Sequence, residues 1–264
     1  MSIDNSQLVT AIIPTRDRPD LLIRAVKSVF NQTYGNVELV IVNDGSKYDV
    51  EAWIKSETGS KACRVIKNKR TPGAPGARNT GFYESRGTYI GFLDDDDEWL
   101  PEKIEKQVAA FRNSASQVGI VCTEDVIVVD TERQVRHIAL QGDVFSVLCR
   151  EHVAGNTSNP LIKRQVFEEV GLFDEAMISG QDTDLWLRIA KRYHFTTVNE
   201  PLALIYQDGT ERITKNFRKQ VLGIFGFLRK HWADLHPQRK YRLAKRIVRL
   251  SVASLNKNIA RSRR

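Results

Sequence analysis

Four consecutive carboxylates, Asp94 to Asp97, follow directly on residues 89–93 (YIGFL), an apolar run of strand length. Adjacent carboxylates repel one another, and a strand end gives them little room to separate. A divalent cation resolves the conflict, because hard cations take oxygen ligands and a diphosphate can complete the shell. The same run also reads as a solvated acidic turn ahead of the helical pattern that Pro101 opens. Its position favours the cation, since open α/β sheets bind ligands outside the carboxyl ends of their strands.

Other residues carry comparable chemistry. Asp44 closes a second apolar run, residues 37–42 (VELVIV), where its carboxylate can accept the N3–H of a uracil or cap the Asp-Gly-Ser turn it belongs to. Arg78 stands behind residues 71–76 (TPGAPG); glycines let the backbone come close to a nucleotide, and arginine offers a planar cation to base or phosphate. Asp182 and Asp184 open a helical pattern. A helix N-terminus favours an ionised carboxylate, which suits Asp182 to act as a base, and a plain N-cap is its other reading.

The elements that must position these groups alternate. Residues 9–13 read as a strand stopped by Pro14, followed by a helix over 21–30 and a strand over 37–42. A helix over about 50–57, a strand over 64–67, a helix over about 76–86 and a strand over 89–93 continue the pattern. Strand–helix–strand units imply parallel pairs with right-handed crossovers, and hence a doubly wound sheet of nucleotide-binding type. Beyond the aspartates, 101–113, 144–149, 165–170 and 182–192 read as helices. Residues 118–129, 134–140, 159–163 and 195–206 read as strands or extended chain.

Composition bounds the rest. Apolar residues make up 41% and charged residues 27% of the 264, which is ordinary for a soluble globular protein. Cys63, Cys122 and Cys149 lack metal-ligand spacing and read as reduced, packed thiols of a cytosolic protein. No signal pattern opens the sequence, and no apolar stretch approaches a membrane span. The net charge of +8 conceals a division: residues 211–264 hold 16 Lys/Arg against 2 Asp/Glu, so the remainder is acidic. This basic segment has two amphipathic stretches, from Phe217 to Trp232 and from Ala244 to Ile259. Packing on the body suits the first. For the second, over residues 238–264, packing and attachment to an anionic membrane surface both fit.

Five motifs then occur in order: PTR at 14–16, VNDGS at 42–46, GARN at 76–79 with Gly81, FLDDDDEW at 92–99, and GQDTDLWLR at 180–188. In these the chain, over roughly residues 8–210, resembles glycosyltransferase family 2, the inverting nucleotide-sugar enzymes of GT-A fold. The resemblance implies an α/β architecture, a Rossmann-like doubly wound mixed sheet, with a C-terminal α-helical extension over 211–264. Residues 1–210 would form the GT-A domain, with a nucleotide half at about 8–100 and an acceptor half at about 101–210.

The resemblance also implies roles. Pro14, Thr15 and Arg16 would line the nucleotide, Asp44 would bind uracil, Arg78 would contact the nucleotide, and Asn79 would pack at a helix start. Asp95 would bind the ribose. Asp96, closing a DxD with Asp94, would coordinate Mn²⁺ or Mg²⁺, while Asp97 holds the loop or orients Trp99. Asp182 would be the general base, although Gln181 stands where relatives carry glutamate. Asp208 would complete the metal shell where many relatives carry histidine. His152, Asn156, Thr157 and Ser158 would build part of the acceptor pocket, and Trp99 and Trp186 would pack or offer a sugar platform.

The activity so implied is metal-dependent transfer of a hexose from a UDP-sugar to a glycan or lipid-linked acceptor. It fits bacterial surface polysaccharide synthesis, lipopolysaccharide included, in the cytoplasm or peripherally on the inner membrane. The Gln-x-x-Arg-Trp signature of polymerising relatives is missing, which favours one transfer per encounter. Two rivals fit less well. A sugar-nucleotide pyrophosphorylase needs a glycine-rich loop after the first strand, and residues 15–19 (TRDRP) have no glycine. A nucleic-acid-binding protein acting through the basic tail would want aromatic residues interleaved with the charges, and few are present.

Overall fold

The computed structural model describes residues 7–59, 62–151, 155–207 and 217–262. At its centre lies β1 (Val9–Thr15), buried along its whole length. It is flanked in parallel by β2 (Val37–Asn43) and β4 (Tyr89–Phe92), and β3 (Arg64–Lys67) continues the sheet beyond β2. Beyond β4 the sheet turns mixed. β8 (Leu161–Lys163) runs antiparallel to β4 and to β6 (Val118–Val129), and β9 (His194–Tyr206) runs parallel to β6. β5 (Glu98–Trp99) closes the order β3-β2-β1-β4-β8-β6-β9-β5, and β7 (Glu132–Arg136) forms a hairpin with β6.

Side-chain alternation divides the core between two faces. Ile12, Val40, Val42, Ile90 and Phe92 point into one cluster; Ala11, Ile13, Leu39 and Ile41 point into the other. The second is covered by α1 (Pro19–Phe30), which starts with proline in its first turn and buries Leu22, Ala25, Val26 and Val29. That spacing is one helical face. α2 (Val50–Thr58) follows β2 and is capped by Asp49, which accepts from the Ala52 amide at 3.0 Å. On the other face, α3 (Ala74–Glu84) lies so close to β1 that a methyl on Gly81 would overlap Ile12.

α4 (Lys103–Arg112) and α5 (Phe145–Arg150) precede β8, and α6 (Arg164–Val170) and α7 (Gln181–Ala190) separate β8 from β9. Phe92 meets Phe167 and Phe173 edge-on, with centroids 5.9 and 5.1 Å away, and so joins the sheet to α6 and the segment after it. Burying each such ring contributes on the order of 1.5–3 kcal/mol.

α8 (Phe217–His231) and α9 (Pro237–Ser262) complete the described chain. Phe227 and Leu235 are buried in the same cluster as Phe92 and Trp186, so the basic extension shares the core of the body. Within the described residues, no helix is long and apolar enough to cross a membrane.

Three local expectations need correction. β1 runs through Pro14 to Thr15, because its pairing with β4 ends at Ile12 and the missing N–H at Pro14 interrupts no bond there. The extended run over 134–140 forms a ladder only to Arg136, although Ile138 and Leu140 remain buried. The two-residue β5 gives no periodicity to find; its partner in β9, 104 or more residues away, creates it.

Candidate functional site

The aspartate run leaves the sheet where β4, parallel to β1, meets antiparallel β8. Asp94 pairs with Arg78 from α3. Asp95 is buried between two groups of the β1–α1 loop: Thr15 Oγ1 donates to its Oδ2 at 2.9 Å, and Arg18 Nη1 lies 3.1 Å from its Oδ1. The same Arg18 nitrogen is 3.3 Å from Asp96 Oδ2, and Arg24 Nη2 donates to the Asp96 carbonyl at 2.6 Å.

Asp97 points inward. Its carboxylate accepts from Ser158 Oγ at 2.6 Å, Asn156 Nδ2 at 3.2 Å and the Tyr206 amide at 3.2 Å. The loop between α5 and β8 and the end of β9 are thus tied to the acidic run. Ser158 also supports Trp99, whose indole N–H donates to the Ser158 carbonyl at 2.7 Å.

Electrostatics separate the four carboxylates. Burial pushes Asp95 up to about 6, against the opposing pull of Arg18 and Thr15. Burial, with repulsion from Asp94 and Asp96, holds Asp97 well above the usual carboxylate range, and the donors from Ser158 and Tyr206 only partly offset it. Oxygens of Asp94, Asp96 and Asp97 all lie within 4.8 Å of one another, an all-oxygen set that fits a hard divalent cation. Asp94 and Asp96 are the partly exposed members, whereas both oxygens of Asp97 are engaged from within.

Asp44 lies at the end of β2, and the turn after it is closed by its neighbour. Asn43 Oδ1 accepts from the Gly45 and Ser46 amides at 3.0 and 2.7 Å, while Gly45 takes a φ of 88°. The capping duty that sequence left open for Asp44 therefore belongs to Asn43. Asp44 instead reaches across to the glycine-rich loop, accepting from Asn68 Nδ2 at 2.6 Å and the Gly73 amide at 2.8 Å. That loop turns so tightly that a methyl on Gly76 would overlap the Thr71 carbonyl oxygen.

α7 starts behind Gly180, which is left-handed (φ 77°), and carries Asp182 half-buried in its first turn. Asp182 Oδ1 accepts from the Thr183 amide at 2.7 Å. Asp184 is fully buried, and burial would raise its pKa. Bonds from His231 Nε2 at 2.7 Å, Arg188 at 2.9 Å and Lys230 at 2.9 Å outweigh that and bring it to about 2.

Several placements differ from expectation. Arg16 is exposed, and Arg18, two residues on, is the cation that meets the acidic run. Its signal was its place immediately before Pro19, at the start of α1. Trp186 is only 1% exposed and lies within the core, so it offers no face to an acceptor. Thr157 is buried, and Asn156 keeps its Oδ1 without a hydrogen-bond partner among the described residues. Asp208 and His152 lie outside the described residues.

Sequence reasoning also missed Glu175. Burial opposes its ionisation, but donors from Arg70, Asn79 and Thr71 draw its pKa to about 2 and fasten the glycine-rich loop to the approach to α7. No periodicity marks it, because its partners come from α3 and the loop ahead of it.

Residues 10–171 match the family model described as Glycosyl transferase family 2. An uncharacterized glycosyltransferase of Rickettsia prowazekii is 31% identical over 192 residues, which cover 69% of this chain and 58% of that protein. The chain therefore spans under two thirds of that relative's length. WcaA of Escherichia coli, named for colanic acid biosynthesis, is 28% identical over 86% of this chain and 82% of its own.

Among solved structures, S. aureus TarS 1-349 in complex with UDP-GlcNAc superposes with a TM-score of 0.62 at 15% identity, over 93% of this chain and 73% of that one. The mannosyltransferase PcManGT from Pyrobaculum calidifontis, in complex with GDP-Man and Mn2+, gives 0.62 at 16% identity, over 98% and 77%. At these identities the structural likeness shows the fold, GT-A.

Proposed function

Because the chain belongs to glycosyltransferase family 2, we propose that it moves a sugar, with inversion, from a UDP-sugar to a hydroxyl of a glycan or lipid-linked acceptor in bacterial surface polysaccharide synthesis. The observation that carries this reading is the convergence of Asp94, Asp95 and Asp96 with Thr15, Arg18 and Arg78 at the carboxyl ends of β1 and β4. Asp44 and Arg78 hold the base side of the nucleotide, and Asp95 turns to the ribose hydroxyls. Asp94 and Asp96 hold Mn²⁺ or Mg²⁺, which when bound offsets the charge developing on the departing diphosphate.

Asp182 takes the proton of the acceptor hydroxyl, which must approach the anomeric carbon from the side opposite the diphosphate. The buried Oδ1 of Asn156, beside Asp97, has no hydrogen-bond partner among the described residues and would accept from an acceptor hydroxyl that reached it. Residues 1–210 make up the transferase domain and 211–264 its basic extension.

That extension meets an anionic membrane. Leu222 and Phe225 of α8, Trp232 just after it, and Tyr241, Val248 and Val252 of α9 are at least half exposed, among the Lys and Arg that give this segment its charge. Exposed aromatic and aliphatic groups beside basic ones suit the interface of an acidic bilayer. Sedimentation with phosphatidylglycerol vesicles but not phosphatidylcholine vesicles, weakened by salt, is the expected result.

Calorimetric titration with UDP, GDP and their sugars, with and without Mn²⁺, tests the donor assignment. Binding of UDP that needs the metal supports it. The guanine N1–H and N2–H₂ are also donors that a carboxylate such as Asp44 accepts, so tighter binding of GDP would change the donor and keep the site. Binding of neither nucleotide would overturn the reading.

A further inference from the structure

We infer that helix α8 is a brace for the catalytic helix, with Gly223 and His231 as positioning residues that set where Asp182 stands; this rests on the reading of Asp182 as the base. At 3.6 residues per turn, Asp182 and Asp184 point about 200° apart on α7. Asp184 is held on the α8 side, so whatever fixes Asp184 fixes the direction of Asp182.

Two groups of contacts do so. The first lies before α7, where α8 crosses Ser179, the residue preceding the left-handed Gly180. A methyl on Gly223 would overlap Ser179 Oγ and lie 2.8 Å from its carbonyl oxygen. Ser179 Oγ in turn donates to the Lys219 carbonyl at 3.2 Å. Gly180, at the N-cap of α7, has no side chain to offer its first turn, so the entry leans on this close approach.

The second lies two residues inside the helix. A carboxylate can only accept, so His231 Nε2, 2.7 Å from Asp184 Oδ1, carries the proton of that bond. Lys230 Nζ bridges the same oxygen at 2.9 Å and Asp174 at 2.8 Å. Arg188 takes the other oxygen and also donates to the carbonyls of Val170 and Leu172 at 2.6 and 2.7 Å. His231 is 3% exposed and its Nδ1 has no hydrogen-bond partner among the described residues, 3.7 Å from Asp234 Oδ2. A buried polar pair of this kind locks orientation more than it adds stability. The tail helix therefore belongs to the active-site architecture although it donates no group to the pocket.

The test uses the full chain as wild type, Gly223→Ala, His231→Leu and His231→Gln, the last keeping a side-chain N–H. Calorimetry with UDP and Mn²⁺ reads the nucleotide half. UDP release from UDP-glucose and UDP-N-acetylglucosamine, with water as acceptor, reads the base. Amide hydrogen exchange over 180–186 and over 76–97 reads the brace itself.

UDP affinity should stay within about twofold, while kcat falls about 10- to 100-fold in Gly223→Ala and His231→Leu, the scale of a displaced catalytic group. Exchange should quicken over 180–186 alone, and His231→Gln should recover most of both. Unchanged exchange over 180–186 in His231→Leu, or a fall in UDP affinity that parallels kcat, overturns the brace. An Asp182→Asn variant that turns the donor over as fast as wild type, while the exchange difference persists, overturns the assignment of the base instead.

Discussion

Ser158 Oγ donates to Asp97 Oδ2 at 2.6 Å and accepts from the Asp94 amide at 3.1 Å, so one hydroxyl clamps both ends of the acidic run. It does so from a loop 61 or more residues downstream, which makes the curvature of the run a tertiary property. Asp97 lies too deep for water to replace that donor.

Ser158→Ala is expected to cost about 1–3 kcal/mol, because the carboxylate keeps its burial and loses its shortest bond. Urea denaturation reads this loss. Mn²⁺ affinity should fall in the same variant, since Asp94 and Asp96 lose their common support. A variant as stable as wild type, with unchanged Mn²⁺ titration, would show that the clamp is idle.

Gly76→Ala addresses the nucleotide side. The obstacle there is the Thr71 carbonyl, which is backbone and cannot rotate away as a side chain would. The loop must shift, carrying Gly73 off Asp44. UDP affinity should drop at least about tenfold, in line with a misplaced contact loop, and the melting temperature should fall as well, because Gly76 is buried in the first turn of α3. Gly45→Ala, strained by its φ of 88° but with open space around it, should perturb binding less.

The stretch from β1 to β4 was legible because each element there carries its own local signal. Buried strands such as β2 read as continuous apolar runs, and α1 buries a single helical face. Partners were less legible. Ser158, Asn156 and Tyr206 reach Asp97 from far along the chain, and the mixed half of the sheet brings them there. The same holds for Arg18, chosen over Arg16 by the way the chain leaves β1, where Asp17 takes a positive φ of 54°. Trp186 reads from sequence as either a packing residue or a sugar platform, and its helical face sends it into the core.

Lys103 gives a prediction in pH. It is fully buried, donates to Gln107 Oε1 at 2.8 Å and lies 4.5 Å from the centre of the Trp99 ring. Burial lowers its pKa to about 7, although Asp125 favours the charged form. The folded value thus lies below the ordinary 10.5, so between pH 7 and 10.5 the unfolded chain binds more protons and stability rises with pH. One such group contributes at most about 1.4 kcal/mol per pH unit. Urea denaturation at pH 7.5 and 9 should show a steeper rise for wild type than for Lys103→Met. Parallel lines would mean that the ammonium finds compensation in the core.

Asp96→Ala and Asp182→Asn should fail at different steps, and the difference tests the division of labour. Asp96 is partly exposed beside Asp94 and has Arg18 within 3.3 Å. Removing it takes one oxygen ligand from the set and leaves Arg18 paired with Asp95, so the fold should persist. Metal-dependent UDP binding should weaken by about 10- to 100-fold, the usual cost of disturbing a metal site. Among the described residues, Asp182 bonds within its own helix turn. Asp182→Asn keeps shape and capping but cannot take a proton, so UDP and Mn²⁺ should bind as in wild type while turnover drops by about 100-fold or more, the upper range for a lost general base. Turnover near wild type in Asp182→Asn would remove it as the base. Full Mn²⁺-dependent UDP binding in Asp96→Ala would move the metal to the other aspartates of the run.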